Sequence, residues 1–138
     1  MSSTTAGRSG AGDSERVHVS GWVVFASVLL ITAGVLNILN GFTLLQHGSY
    51  YTQHIVYSNL NFWGWMFLIW GVLQLLSGMF AWRGSVAWTA VAVGLTATAA
   101  MLWFFMIFAA PWPAVMGITL NTVAMFAFTA GAKPDQYY

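Results

Sequence analysis

Cysteine is absent, and charge is scarce: among 138 residues there are four Lys or Arg and three Asp or Glu. Without cysteine there is no disulfide, no thiolate nucleophile, no Cys-ligated zinc or iron–sulfur cluster and no S-acyl anchor. No Asp or Glu occurs between Glu15 and Asp135, so a catalytic carboxylate has nowhere to come from within the body of the chain. Hydrolase, kinase and metalloprotease motifs are missing as well. A net charge of +1 is too small for a nucleic-acid footprint. Ser2 after Met1 excludes N-myristoylation, which needs glycine there. The expectation is a non-enzymatic protein with no cofactor and no nucleic-acid partner.

What the chain does have is apolar side chains. They make up 59% of it, with 17% aromatic and 5% charged, whereas soluble domains are about 25% charged. Too few polar residues remain to cover a water-facing surface, so the partner is a lipid bilayer. No charge interrupts Val17 to Trp82 or Gly84 to Ala132. A charge at the centre of a spanning helix costs about 2.5–3.5 kcal/mol on insertion scales, and about 20 apolar residues cross the hydrocarbon core. Four segments qualify, at about 22–45, 62–82, 85–108 and 113–129.

Arg83 and Gly84 alone separate the second and third segments, and Ala109 to Trp112 the third and fourth. Links that short make antiparallel neighbours. The fold class is therefore an all-α membrane protein, four transmembrane helices in an up-down-up-down bundle. Pro113 suits the first turn of the fourth helix. Residues 1–20, rich in Gly, Ser and Thr, read as a disordered tail. Residues 21–132 form the membrane domain, and 133–138 a short C-terminal tail. The apolar stretch after residue 20 is too long for a signal-peptide core and lacks an A-x-A site, so it stays attached.

With four helices, Arg8, Arg16, Arg83 and Lys133 all fall on one side and no cation falls on the other. The positive-inside rule makes that side, with both termini, cytoplasmic, in a multi-pass plasma-membrane protein. Trp22, Trp82 and Trp88 then belong to the inner interface, and Trp63, Trp65 and Trp112 to the outer one.

Small residues recur at intervals of seven: Ser27, Gly34 and Gly41 in the first helix, Gly64, Gly71 and Gly78 in the second, and Gly117, Ala124 and Gly131 in the fourth. Lipid supplies little hydrophobic drive between helices, so close approach over small residues holds them together. These positions read as packing seams, or alternatively as a hinge or ligand groove. The runs Gly34–Gly41 and Gly71–Gly78 match at five of eight positions. That pattern is either an inverted repeat or a shared packing need.

Asn37, Asn40, Gln74 and Asn121 are the intramembrane amides, accompanied by Thr96 and Thr98. None is ionisable, which argues against proton coupling. They either hydrogen-bond between helices or line a small polar cavity. Asn37 and Asn121 fall about 12 Å below the outer boundary, at a rise of about 1.5 Å per residue. They are expected to pair, directly or through one water. Gln74, deeper in the other leaflet, would then turn to Thr96 or Thr98. Of the three histidines, His47 and His54 sit in the tyrosine-rich outer loop as weak metal-ligand candidates without a carboxylate nearby.

Gly21-Trp22-Val23-Val24-Phe25-Ala26, the Gly34–Gly41 run, Trp63-Gly64-Trp65, Gly71-Val72-Leu73 and Pro111-Trp112 follow one another in that order. Together they resemble a family of small four-helix actinobacterial membrane proteins, classed as a domain of unknown function. The resemblance covers about Gly21 to Thr129 and implies an actinobacterial plasma membrane, with no activity attached. The family pattern leads one to expect an arginine at the start of the third helix, and Ala87-Trp88-Thr89 has none. Two functions stay open. One is a structural or accessory subunit, as a homo-oligomer or within a larger membrane complex. The other is a small transporter or neutral-ligand-binding bundle without proton coupling.

Overall fold

The computed structural model describes residues 20–46, 60–83 and 86–131. The N-terminal tail expected to be disordered, the loop carrying His47 and His54, and the C-terminal tail lie outside the described residues, apart from Ser20. What is described is four helices: α1, Gly21–Gln46; α2, Leu60–Ala81; α3, Val86–Phe105; and α4, Pro111–Gly131. In a bilayer core every backbone N–H and C=O must be satisfied within the protein, and an uninterrupted apolar run does so most simply as a helix. All four are long and apolar enough to cross a membrane.

The helix ends follow local chemistry. Ser20 caps α1: its carbonyl accepts from Val23 N at 2.9 Å, and its Oγ faces Trp22 N at 3.4 Å. α3 stops at Phe105, three residues before the sequence-based end, and residues 106–109 form a turn closed by Ala109 N and Ala110 N onto the Met106 carbonyl. Pro111 biases Ala110 away from helical geometry, so α3 and α4 do not run on as one helix. Pro111 rather than Pro113 is then the first residue of α4, where a missing N–H costs nothing.

Each helix packs against its neighbours in the chain, and α4 returns to α1, which closes a four-membered ring. α1 and α2 run antiparallel, since Gly41 meets Gly64, Gly34 meets Gly71 and Gly78 meets Ser27. The interior has two apolar clusters. One gathers large rings: Trp63, Phe67 and Trp103 with Leu44, Leu102, Met106 and Ala114. The other is built on alanines, Ala26, Ala81, Ala92 and Ala127, around Leu30 and Phe128. Trp63 thus belongs to the core, 8% exposed, and not to an interfacial belt; Trp65 beside it is 57% exposed. Phe25, Leu39, Phe42, Ile69, Met79 and Phe126 point outward. So many exposed apolar side chains suit lipid and not water.

Candidate functional site

Between the two apolar clusters lies a layer of polar side chains, one from each helix. Asn37 on α1, Gln74 on α2, Asn121 on α4 and Trp103 on α3 are all at most 3% exposed. The Trp103 indole Nε1–H donates to Asn37 Oδ1 at 2.8 Å. Asn37 Nδ2 donates to Gln74 Oε1. Gln74 Nε2 donates to Asn121 Oδ1 at 2.7 Å, and Asn121 Nδ2 donates to the Gly117 carbonyl at 2.8 Å. The two ends set the direction of the whole chain. An indole N–H can only donate and a backbone carbonyl can only accept, so each amide between them must accept on its oxygen and donate from its nitrogen.

Asn37 and Asn121 therefore do not pair directly. Gln74 stands between them, and the expected partnership of Gln74 with Thr96 or Thr98 is not formed. Those hydroxyls turn back onto their own helix, Thr96 to the Val93 carbonyl at 2.8 Å and Thr98 to the Gly94 carbonyl at 3.0 Å. Depth along the helix axis misled, because the longer glutamine side chain can reach past its own turn to both neighbours. Trp103 is the unexpected member of the layer. Its signal was an indole N–H inside an apolar run and away from an interface, where it needs a buried acceptor.

Glycines make the layer possible. A Cβ on Gly117 would lie 2.5 Å from the Trp103 ring, so the indole rests directly on the α4 backbone. Along α1 and α2 the same absence brings backbone onto backbone. A Cβ on Gly34 would meet Gly71 O at 2.7 Å and Leu75 N at 2.9 Å; one on Gly71 would meet Gly34 O at 2.6 Å and Ile38 N at 2.8 Å. A Cβ on Gly41 would meet Gly64 O at 2.8 Å, and one on Gly78 would meet Ser27 O at 3.1 Å. Ser27, Gly34, Gly41, Gly64, Gly71 and Gly78 thus lie along one α1–α2 interface.

The register of this interface is that of a local two-fold axis. An offset of 37 positions carries Ser27, Gly34 and Gly41 onto Gly64, Gly71 and Gly78. It exchanges the two sides of the Gly34–Gly71 contact and carries the Gly41–Gly64 contact onto Gly78–Ser27. It also carries Asn37 onto Gln74 and Asn40 onto Ser77. Asn40 Nδ2 and Ser77 Oγ are buried with no hydrogen-bond partner among the described residues.

No group of His, Asp or Glu suited to a metal occurs among the described residues, and the candidates His47 and His54 lie outside them. At the α2–α3 turn, Arg83 stands 5.4 Å from the Phe80 ring centroid, and that ring stacks on Trp88 at 4.8 Å. A groove of about 380 Å³ lined by Phe62, Trp65, Met66, Ile69 and Trp70 opens on the outer face of α2. Trp70 Nε1–H donates to the Leu95 carbonyl of α3 at 3.1 Å beside it.

Four apolar, membrane-length helices closed around a buried polar layer define a small multi-pass membrane protein. Residues 22–133 match the family described as Domain of unknown function (DUF7144), and the chain belongs to that family. No curated protein and no solved structure matches it.

Proposed function

We propose that the protein is a non-enzymatic structural or accessory component of the plasma membrane, acting as a homo-oligomer or as a subunit of a larger membrane complex. The observation that carries this reading is the amide chain. Asn37, Gln74 and Asn121 are bound to one another, to Trp103 and to the Gly117 carbonyl, which joins all four helices into one closed unit. Polar groups spent in this way rigidify a bundle and set its register. With the glycine contacts along α1 and α2, they make a compact body whose outer faces are free for lipid or another subunit. Both termini are cytoplasmic and residues 46–61 are outside, a placement supported by the cations Arg8, Arg16, Arg83 and Lys133.

A second reading, a bundle that binds a neutral ligand without proton coupling, draws on the unpartnered Asn40 Nδ2 and Ser77 Oγ. Purification in native lipid with identification of what accompanies the chain separates the two. A defined oligomer or a stoichiometric protein subunit supports the first, and a bound small molecule overturns it. Orientation is tested by single-cysteine labelling, for which the chain offers a cysteine-free background. Labelling of Ser14→Cys by an impermeant reagent in intact cells would reverse the topology.

A further inference from the structure

Most hydroxyls in these helices find a partner within their own backbone. Ser27, Thr32, Thr43, Thr98, Thr119 and Thr129 each donate to the carbonyl four residues earlier, at 2.7–3.1 Å. Ser77 departs from this habit. Its side chain is 1% exposed, yet Oγ has no partner among the described residues. Asn40 is only half-buried as a residue, but its Nδ2 is buried and likewise has no partner among the described residues. A buried polar atom left unpaired is costly, and native proteins satisfy such atoms with protein groups or ordered water.

The two orphans are not scattered. They are equivalents under the local two-fold that relates α1 to α2, each three residues, about one helical turn, from the central amide of its own helix. Ser77 lies on the same face as Gln74, and Asn40 on the same face as Asn37, since positions three apart are neighbours on a helix. Each central amide nitrogen carries a second hydrogen beyond the one donated along the chain. An orphan and its neighbouring amide therefore offer two polar contacts, the minimum a buried water needs. Because α1 and α2 run antiparallel, the sites flank the Asn37–Gln74 pair on opposite sides. Ser77 is four residues from the end of α2 at Ala81, and Asn40 six from the end of α1 at Gln46.

We infer that the bundle binds two structural waters, one bridging Ser77 Oγ to the Gln74 amide and one bridging Asn40 Nδ2 to the Asn37 amide. The Asn37–Gln74 hydrogen bond lies between them and keeps the two hydrated cups from joining. Waters at Ser77 Oγ and Asn40 Nδ2 take up the polar atoms on which the neutral-ligand reading draws, and so fit the accessory-subunit reading.

The test is water-edited magnetisation transfer by NMR on the full-length, isotope-labelled wild-type chain in a phospholipid bilayer, so no variant has to fold. Transfer from water to the Ser77 side chain and to the Asn40 Nδ2 protons is expected, while the outward Thr119, bonded to its own helix at mid-span, receives none. A silent Ser77 and Asn40 would overturn the inference, and transfer at one of them alone would overturn the paired arrangement. Ser77→Ala supplies an independent reading. If a water is bound, removing its anchor lowers the melting midpoint in the same bilayer and abolishes transfer to the Gln74 amide. If the hydroxyl is merely unpaired, the variant melts at or above wild type, and the water is ruled out.

Discussion

Gly71 and Gly94 sit in adjacent helices, yet nothing that surrounds one resembles what surrounds the other. A Cβ on Gly71 would strike the α1 backbone at 2.6 Å, whereas one on Gly94 would meet nothing within 4 Å. The inner face of α2 is a seam on which two main chains touch; the outward face of α3 around Gly94 is open. The difference teaches that glycine content by itself does not locate a helix contact. What distinguishes the seam is register, with Gly34, Gly41, Gly64, Gly71 and Gly78 each matched by an apposed small residue or backbone atom on the other helix.

The sharpest way to break that contrast is Gly71→Leu, which should abolish the folded bundle, or at the least its detergent-resistant melting transition. Even one added carbon in a tight interior costs about 1–3 kcal/mol, and here the obstacle is backbone that cannot rotate away. Leu75→Ala on the same helix should be milder. If Gly71→Leu melts like wild type, the seam does not exist. Next in size comes Gln74→Leu, which leaves Asn37 Nδ2 without its acceptor and Asn121 Oδ1 without its donor. A loss of about 1–3 kcal/mol is expected from chemical denaturation, the usual cost of orphaned buried groups. A double-mutant cycle pairing it with Asn37→Leu should give a coupling of about 0.6–1.7 kcal/mol. Additivity within about 0.3–0.5 kcal/mol would mean that the two amides are not bonded.

Trp103→Phe keeps most of the ring over Gly117 but removes the indole N–H. It should cost about 0.6–1.7 kcal/mol, the range for a single hydrogen bond between membrane helices, plus some lost packing. No loss in the same denaturation assay would detach α3 from the polar layer. Smallest is Gly94→Ala, which should be neutral or stabilise by up to about 1 kcal/mol, because an open glycine only weakens its helix. A clear destabilisation would show that something covers that face of α3 and would erase the contrast with Gly71.

The four spans were legible because charge is confined to a few positions and lipid permits little besides helices. The seam was legible too, through the spacing of seven that links Ser27, Gly34 and Gly41 and, independently, Gly64, Gly71 and Gly78. The polar layer was only half legible. Its three amides stand out in an apolar sequence, but which of them bond depends on side-chain reach across the bundle, and axial depth does not encode that. Trp103 and Trp63 were hidden for a related reason. Tryptophan suits both a membrane interface and a core, and only the neighbouring helices decide between them. Pro111 and Pro113 both look like helix starts, and the turn after Phe105 selects the earlier one.

The hydrogen bond between Asn37 and Gln74 has one more property. These residues are partners under the axis that makes α1 and α2 interchangeable, and had the two helices stood alone neither amide would have reason to be the giver. A single bond across such an axis must choose, and the choice is made from outside the pair. On one side α3 presents a group that can only give, and on the other α4 presents one that can only take. The second half of the chain thus converts a two-fold-related pair of helices into an object with a built-in sense of direction. In a membrane, whose two sides are never equivalent, that loss of symmetry lets one end of the bundle be told from the other from within.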